Sequence, residues 1–292
     1  NDELKSLADS LRRMIDEKPL FIQQKEQRIN RIKCLLKGSG LTLEQKYKIN
    51  FQLCNEYKKF VVDSAIHYVD QNLEIARKLN NRDLKNQSFL QLSLLYSMCG
   101  RYRDAELILE EIKTSELSKD LLSVYYETYS RFWEYYSITN SRYGKQRAVY
   151  QDSLLSLLDQ TSFDYKLSRA YYYGGRDSIK AKTVLQELLD TEEVGTPHYA
   201  MITHAYASFC WHQKKMDERK KYLMMSAIAD IRNATRETAS LQALALIQYE
   251  EKNLSDAFKF TQSAIDDVVS SGIHFRAMEI YKFYSITVSY TH

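Results

Sequence analysis

The chain contains 292 residues, and its 41 lysines and arginines against 38 aspartates and glutamates give a formal net charge of +3. Hydrophobic residues make up 44% and charged residues 27%, a composition that indicates a folded protein and excludes a disordered one. The excess of positive charge is too small to predict direct nucleic-acid binding, which needs a clustered basic face. No run of about 18 apolar residues occurs, so we predict no membrane span within the chain.

Two helices are predicted at the start of the chain. Apolar residues at three- and four-residue steps indicate an amphipathic helix over 2–17. Pro19 suits the first turn of a second helix, where a backbone N–H would have no partner within the helix. We expect the two helices to form a hairpin that caps the rest, over residues 1–40. Thr42 and Gln45 then have the spacing of a capping box, which predicts the start of a third helix.

Antiparallel helix pairs are predicted over residues 41–272, where apolar stretches of helical period alternate with turn residues. The clearest boundary is Gly195-Thr196-Pro197, which reads as a helix end, an N-cap and a first-turn proline. A single C-terminal helix is predicted in residues 273–292. The six predicted pairs are 42–58 with 61–80, 82–99 with 101–114, 118–138 with 141–159, 162–174 with 177–193, 196–214 with 216–231, and 234–251 with 253–271.

One stretch identifies the kind of repeat. Its spacing is Phe89-x2-Leu92-Ser93-x2-Tyr96, followed by Gly100, Tyr102, Ala105 and Leu109. This spacing resembles the tetratricopeptide (TPR) repeat, although Ser93 stands where that repeat prefers Gly and Leu109 where it prefers Phe. Compact packing positions recur roughly 38 residues apart, against 34 in a TPR. These positions are Ala65, Ala105, Ala148, Ala181, Lys220 and Ala257. The resemblance implies an all-α, right-handed solenoid whose concave face, lined by the first helix of each pair, binds peptides or partner helices.

Aromatic side chains give the strongest functional signal, because the chain contains 23 tyrosines. One helical stripe, predicted to pack in the core, contains Tyr125, Tyr129, Phe132 and Tyr136. A second stripe on the same helix either packs as well or faces the groove, where tyrosine and tryptophan suit recognition. Repeat position adds four further residues to the predicted groove. The predicted ligand groove therefore consists of Tyr126, Trp133, Tyr173, Phe209, His212 and Tyr249.

Signatures of catalysis, cofactors and metal binding are not found. No nucleophile elbow, zincin motif or phosphate-binding glycine loop occurs, so we predict no enzyme activity and no cofactor. His204 and His212 lie two helical turns apart, too far to share a metal ion easily, so we also predict no metal site. None of the cysteines forms a C-x2-C pair, and their apolar neighbours predict buried free thiols. They are Cys34, Cys54, Cys99 and Cys210.

A basic run occurs between two predicted helices and continues into the second. It contains Lys214, Lys215, Arg219, Lys220 and Lys221. Such a run is typical of a solvated turn, and the alternative is a patch that binds an anionic ligand.

Residues 223–284 carry a closer family resemblance. The segments Ser-Ala-Ile-Ala-Asp-Ile (226–231) and Ser-Leu-Gln-Ala-Leu-Ala (240–245) are similar to a family of bacterial TPR-containing regulators, typical of Gram-negative gut anaerobes. Asp152-Ser153-Leu154-Leu155 and Asp266-Asp267 also resemble it. The shared region of that family is a domain of unknown function. In the family a signal peptide precedes the repeats, and a single membrane helix, a coiled coil and a DNA-binding portion follow them.

The family resemblance implies a function and a location. This chain is expected to be the periplasmic, non-enzymatic sensor region of a membrane-anchored transcriptional regulator, attached through a segment outside the chain. A protein or peptide ligand is expected in the concave groove, and a homodimer is compatible with this arrangement. The chain begins at Asn1 and ends at His292 within an apolar-periodic helix, so we expect a piece of a longer protein. The alternative is a stand-alone TPR adaptor or co-chaperone that binds peptides, in the cytoplasm or the periplasm.

Overall fold

The computed structural model describes residues 2–139, 142 and 144–291. Within these residues the secondary structure consists of fifteen α-helices and one 3-10 turn at Thr114–Glu116, without a strand. The helices are α1 Asp2–Asp16, α2 Lys18–Leu35, α3 Leu43–Tyr57, α4 Val62–Lys78, α5 Arg82–Met98, α6 Tyr102–Glu111, α7 Lys119–Thr139, α8 Gly144–Leu157, α9 Phe163–Gly174, α10 Ser178–Thr191, α11 Pro197–His212, α12 Met216–Arg232, α13 Ala239–Glu250, α14 Leu254–Ser271 and α15 Ala277–Thr291. The predicted all-α solenoid of antiparallel helix pairs is confirmed.

Local cap chemistry sets several helix starts. Thr42 and Gln45 form the predicted capping box: the Gln45 N–H donates to Thr42 Oγ1 at 3.1 Å, and the Thr42 N–H donates to Gln45 Oε1 at 2.9 Å. Thr196 caps α11, with Pro197 as the first helical residue. Gly195, just before this cap, has a φ of +88°, a left-handed conformation that favours glycine.

One helix start was predicted wrongly. The sixth pair was expected to begin at residue 234, but α13 begins at Ala239. After α12, Ala234 has a φ of +51°, and its N–H donates to the Ile231 carbonyl at 3.0 Å. This left-handed turn ends α12, and the next helix begins only after its N-cap, Thr238.

The chain forms two compact units. Unit 1 contains Asn1–Lys25, Asp159–Val268 and Glu279–His292, and unit 2 contains Glu26–Leu158 and Val269–Met278. The predicted division into a cap, a repeat region and a C-terminal helix remains a prediction. The core of unit 1 includes fully buried Ala181, Leu185, Ile202 and Cys210, and that of unit 2 includes Leu90, Ala105, Leu109 and Phe132.

The predicted packing positions are mostly buried. Small residues let two helices approach each other closely, and four predicted positions are completely buried: Ala65, Ala105, Ala181 and Ala257. Lys220 is half-buried, and its Nζ lies 2.8 Å from Glu251 Oε1. The prediction for Ala148 is wrong, because this residue is exposed and α8 buries Leu154 instead.

The cysteines are free thiols among the described residues, as predicted, but they are not all buried. Cys54 and Cys210 are buried and Cys99 is half-buried. Cys34 is exposed, so the prediction of burial is wrong for it. In α2 the buried residues are Ile29 and Ile32, so Cys34 lies on a different face of the helix.

Candidate ligand-binding surface

Three successive first helices of unit 1 end with an aromatic residue at the same position of the turn. In each case its carbonyl accepts a hydrogen bond from the N–H three residues later. The pairs are Arg176 to Tyr173 at 2.8 Å, Lys214 to Trp211 at 3.0 Å and Lys252 to Tyr249 at 3.0 Å. An aromatic side chain therefore recurs at one end of the first helix in α9, α11 and α13.

The end of α9 carries a group that we call the Arg–Tyr cluster: Arg169, Tyr172, Tyr173 and Arg176. The Arg169 guanidinium lies 4.9 Å from the Tyr172 ring centre and 4.7 Å from that of Tyr173, and it donates to the Tyr173 hydroxyl at 2.5 Å. That hydrogen bond raises the pKa of Arg169. The Arg176 guanidinium lies 4.5 Å from the ring centre of Tyr172. Tyr172 is 46% exposed. The cluster is a solvent-facing stack of cations and rings.

Charge in the Arg–Tyr cluster is not neutralised locally. In the part of the chain that the structure describes, neither Arg169 nor Arg176 lies within ion-pair distance of a carboxylate. Arg176 donates instead to the Tyr172 carbonyl at 2.9 Å. Both guanidinium groups retain N–H donors that can hydrogen-bond to a carboxylate or another anionic group.

A second aromatic–cation contact lies at the end of α11. Trp211 is 54% exposed, and the Arg219 guanidinium lies 4.3 Å from its ring centre. Partial burial lowers the pKa of Arg219, and Glu250 opposes this shift. The neighbouring His212 ring lies against Gly174 and Gly175, at about van der Waals distance from where a Cβ would be. The ends of α9 and α11 are therefore in contact, and the two aromatic–cation groups belong to one region of unit 1.

The other predicted aromatic group lies on α7 in unit 2. The core stripe is confirmed for Tyr125, Tyr129 and Phe132, which are buried, whereas Tyr136 is half-buried. Tyr129 stacks on Tyr150 of α8 with ring centres 4.4 Å apart, and burial raises its pKa. These phenols are therefore neutral and pack as apolar groups.

The six predicted groove residues fall into both units and stay predictions. In unit 2, Tyr126 and Trp133 are half-buried and pack against the core that contains Tyr125, Tyr129 and Phe132. In unit 1, Tyr173 and His212 lie close together in the region of the Arg–Tyr cluster. Phe209 is only 6% exposed and belongs to the core of unit 1. The remaining residue, half-buried Tyr249, contacts Phe283 edge-on at 5.4 Å.

Four residues of the candidate surface were missed from the sequence: Arg169, Tyr172, Arg176 and Trp211. Arg169 and Tyr172 are three residues apart on α9, which places them on one helix face, and Arg176 follows Tyr172 by four residues in the turn after the helix. That spacing was available as a signal. Trp211 was missed by one position, since His212 was chosen instead. An alignment of the two turns would have identified Trp211, because it stands three residues before Lys214, as Tyr249 stands three residues before Lys252.

Metal and anion chemistry elsewhere is limited. The described residues contain no group of three His, Cys, Asp or Glu side chains that could hold a metal ion. His204 Nδ1 hydrogen-bonds with Ser240 Oγ at 2.9 Å. Most lysines of the basic run are used in ion pairs, as the pairs Lys215–Glu218, Lys220–Glu251 and Lys221–Glu3 show.

Stacked helix pairs with completely buried alanines at the packing positions define a TPR-type repeat protein. The family described as the SusR N-terminal TPR domain matches residues 15–282, and the chain belongs to that family. The resemblance to bacterial TPR-containing regulators is thereby confirmed. TPR-type domains are generally non-catalytic modules that mediate protein interactions, and this family suggests a ligand- or protein-binding sensor role. A comparison with curated proteins finds no match. None of the described helices combines the length and apolar character needed to cross a bilayer.

Proposed function

We propose that this chain is the non-enzymatic, ligand-binding sensor domain of a membrane-anchored transcriptional regulator. Its ligand is a protein or peptide, bound on the first-helix side of unit 1. The Arg–Tyr cluster and Trp211 form the recognition surface. The ligand presents an anionic group, a carboxylate side chain or terminus, to Arg169 and Arg176.

The observation that carries this proposal is the pair of unneutralised arginines stacked on an exposed tyrosine. Other surface arginines of this chain are paired with a carboxylate, as Arg103 is with Glu106 at 3.0 Å. Arg169 and Arg176 instead hold their guanidinium planes on Tyr172 and leave donors open to solvent. Because stacking fixes the planar donor groups in advance, less side-chain entropy is lost when a carboxylate binds.

Membership of the regulator family supports the sensor role and the periplasmic location. A sensor outside the inner membrane would receive its ligand on this surface and transmit binding through the C-terminal helix to a membrane segment outside the chain. Within unit 1, His212 and Tyr249 of the predicted groove would extend the contact surface beyond the Arg–Tyr cluster.

Protease access in whole cells tests the location. The complete native gene product, tagged at its C-terminus, is treated with trypsin in intact spheroplasts and after lysis. We expect cleavage of this domain in intact spheroplasts and recovery of the tagged remainder with the membrane. Protection until lysis, with the product in the soluble fraction, would contradict the proposal and support the cytoplasmic adaptor.

Binding is tested with matched arginine variants. The chain is titrated with a fluorescent decapeptide rich in glutamate and tyrosine, and with the same peptide carrying glutamine in place of glutamate. We expect binding of the acidic peptide, weakened about tenfold in Arg169→Ala/Arg176→Ala and unchanged in the control Arg103→Ala. Equal binding of both peptides, or no effect of the double substitution, would contradict recognition by the arginines.

A further inference from the structure

One second helix has a cation at a position where four others have alanine. The fourth residue of α4, α6, α10 and α14 is a completely buried alanine whose N–H donates to the carbonyl four residues earlier. These residues are Ala65, Ala105, Ala181 and Ala257. The fourth residue of α12 is Arg219, whose N–H donates in the same way to the Lys215 carbonyl at 2.9 Å. A charged side chain therefore occupies a packing position, one residue before the predicted Lys220.

The placement of Arg219 is unfavourable for folding. A small residue at this position lets two helices approach closely, whereas a guanidinium loses hydration when helices enclose it. Arg219 is half-buried, and burial lowers its pKa, because the charged form is penalised. A residue that departs from the local packing rule in this way is expected at a functional site.

Arg219 is also not neutralised within the chain. The carboxylate next to it in the sequence, Glu218, has its Oε1 atom 3.3 Å from Lys215 Nζ. Glu250 opposes the pKa shift of Arg219, but in the described part of the chain no carboxylate lies within ion-pair distance of its guanidinium. The guanidinium lies instead 4.3 Å from the ring centre of Trp211, which is 54% exposed. Arg219 is therefore a partly desolvated cation, held on an exposed ring and able to bind an anion.

Equivalent rings of two adjacent repeats each carry an arginine. Tyr173 and Trp211 accept the same turn hydrogen bond at the ends of α9 and α11. Arg169 lies 4.7 Å from the ring centre of Tyr173, as Arg219 lies 4.3 Å from that of Trp211. The axes of packed helices are about 8–10 Å apart, so the two guanidinium groups are separated by roughly that distance. In a polyproline II peptide, residues three positions apart lie on one side and are about 9 Å apart.

We infer that Arg219 is a second anion-binding group of the recognition surface and that the ligand carries two carboxylates. The inference rests on the proposed function, in which Arg169 and Arg176 bind the first carboxylate. Arg219 binds the second one, beside the exposed ring of Trp211. The ligand is therefore an extended peptide segment with two acidic residues three positions apart.

Fluorescent decapeptides that differ only in their glutamates test the inference by fluorescence anisotropy. The first peptide has two glutamates three positions apart, and the second has the two glutamates side by side. The third has a single glutamate, with glutamine in place of the other. We expect the first peptide to bind about tenfold more tightly than the second and the third, because only its two carboxylates reach both arginine sites.

Substitution of Arg219 separates binding from packing. Arg219→Ala introduces the residue that the other second helices have at this position, so we expect a melting temperature no lower than that of the wild type. The variant should lose the tenfold advantage of the first peptide and bind the single-glutamate peptide as the wild type does. Arg219→Lys keeps the charge and should recover part of the advantage, and the control Arg103→Ala should keep all of it.

The possible failures are distinguishable. Binding that depends on Arg169 and Arg176 but not on glutamate spacing would overturn the inference and leave the proposed function standing. The same holds if Arg219→Ala still prefers the first peptide. A lower melting temperature of Arg219→Ala, with equal loss of affinity for every peptide, would assign Arg219 to packing alone and also overturn the inference. If none of the peptides binds to the wild type, the proposed function fails, and the inference fails with it.

Discussion

The ion pair between Lys18 and Asp267 predicts a large effect of one substitution. Lys18 Nζ donates to Asp267 Oδ2 at 2.8 Å, to Ser263 Oγ at 2.6 Å and to the Ser263 carbonyl at 3.2 Å. The two charged side chains are only 13% and 6% exposed. Lys18→Met keeps the apolar length of the side chain but removes its charge. Asp267 would then be a buried carboxylate without its closest cation.

Removing one partner of a buried ion pair costs about 3–5 kcal/mol, because the remaining charge stays desolvated. For a chain of this size, that loss lowers the melting temperature by on the order of 10 °C. Replacing both partners with apolar residues removes the unpaired charge, so Lys18→Met/Asp267→Leu should recover most of the loss. The control Arg77→Met breaks an exposed pair with Glu74 and should change stability by less than about 1 kcal/mol.

The pH dependence has a definite sign. Burial raises the pKa of Asp267, and Lys18 opposes that shift. Without Lys18 the pKa rises further, so the folded variant takes up a proton as the pH falls. The stability deficit of Lys18→Met should therefore be largest at neutral pH and should shrink towards the pKa of an unfolded aspartate.

Urea unfolding and thermal melting, followed by circular dichroism, measure these differences. A melting temperature within about 2 °C of the wild type for Lys18→Met would refute the reasoning, as would a double variant no more stable than the single one.

Three further outcomes are expected. Arg12→Ala should lower the free energy of unfolding by about 1–3 kcal/mol in urea at pH 7, because it leaves the buried carboxylate of Asp256 without its guanidinium partner. The Arg12 hydrogen bond lowers the pKa of Asp256, so this stability difference should disappear as the pH falls below about 4. Thr42→Ala should cost about 1 kcal/mol through loss of the capping box, and a Gln45→Ala variant should lose less. Exposed Cys34 should react rapidly with maleimide. Burial raises the pKa of Cys54 to about 12 and that of Cys210 to about 11, so these two thiols should react only on unfolding. Mass spectrometry of the labelled peptides measures the difference.

Helix boundaries were predictable because their signals are local. A capping box needs only Thr42 and Gln45 three residues apart, and the start of α11 needs only the sequence Gly195-Thr196-Pro197. The wrong start of α13 has a local cause too. Ala234 takes a left-handed turn that favours glycine or asparagine, so its sequence gave no sign that α12 ends there.

Burial was less predictable where a helix lacks one dominant apolar face. On α8, Leu154 is buried, while Val149 and Ala148 are exposed, so repeat spacing alone chose the wrong residue. The predicted burial of Cys34 was wrong for a related reason, because apolar neighbours in the sequence do not determine which side of α2 is covered.

The ion pairs between the start of the chain and α14 could not be predicted. Arg12 and Asp256 are 244 positions apart in the sequence. The charged residues on each helix have the spacing of a solvent-exposed face, which does not indicate a distant ion-pair partner. The Arg–Tyr cluster differs, since the spacing of its residues at the end of α9 and in the following turn is local and was not used.

The most direct test of the sensor surface is site-specific photo-crosslinking in living cells of the native host. A photoreactive amino acid replaces Trp211 in the complete protein, and a control places it at Val149, which is exposed on α8 in unit 2. A crosslinked species at position 211 that disappears in Arg169→Ala/Arg176→Ala is the predicted result. Crosslinks that are equal at both positions, or that persist without the two arginines, would contradict the account.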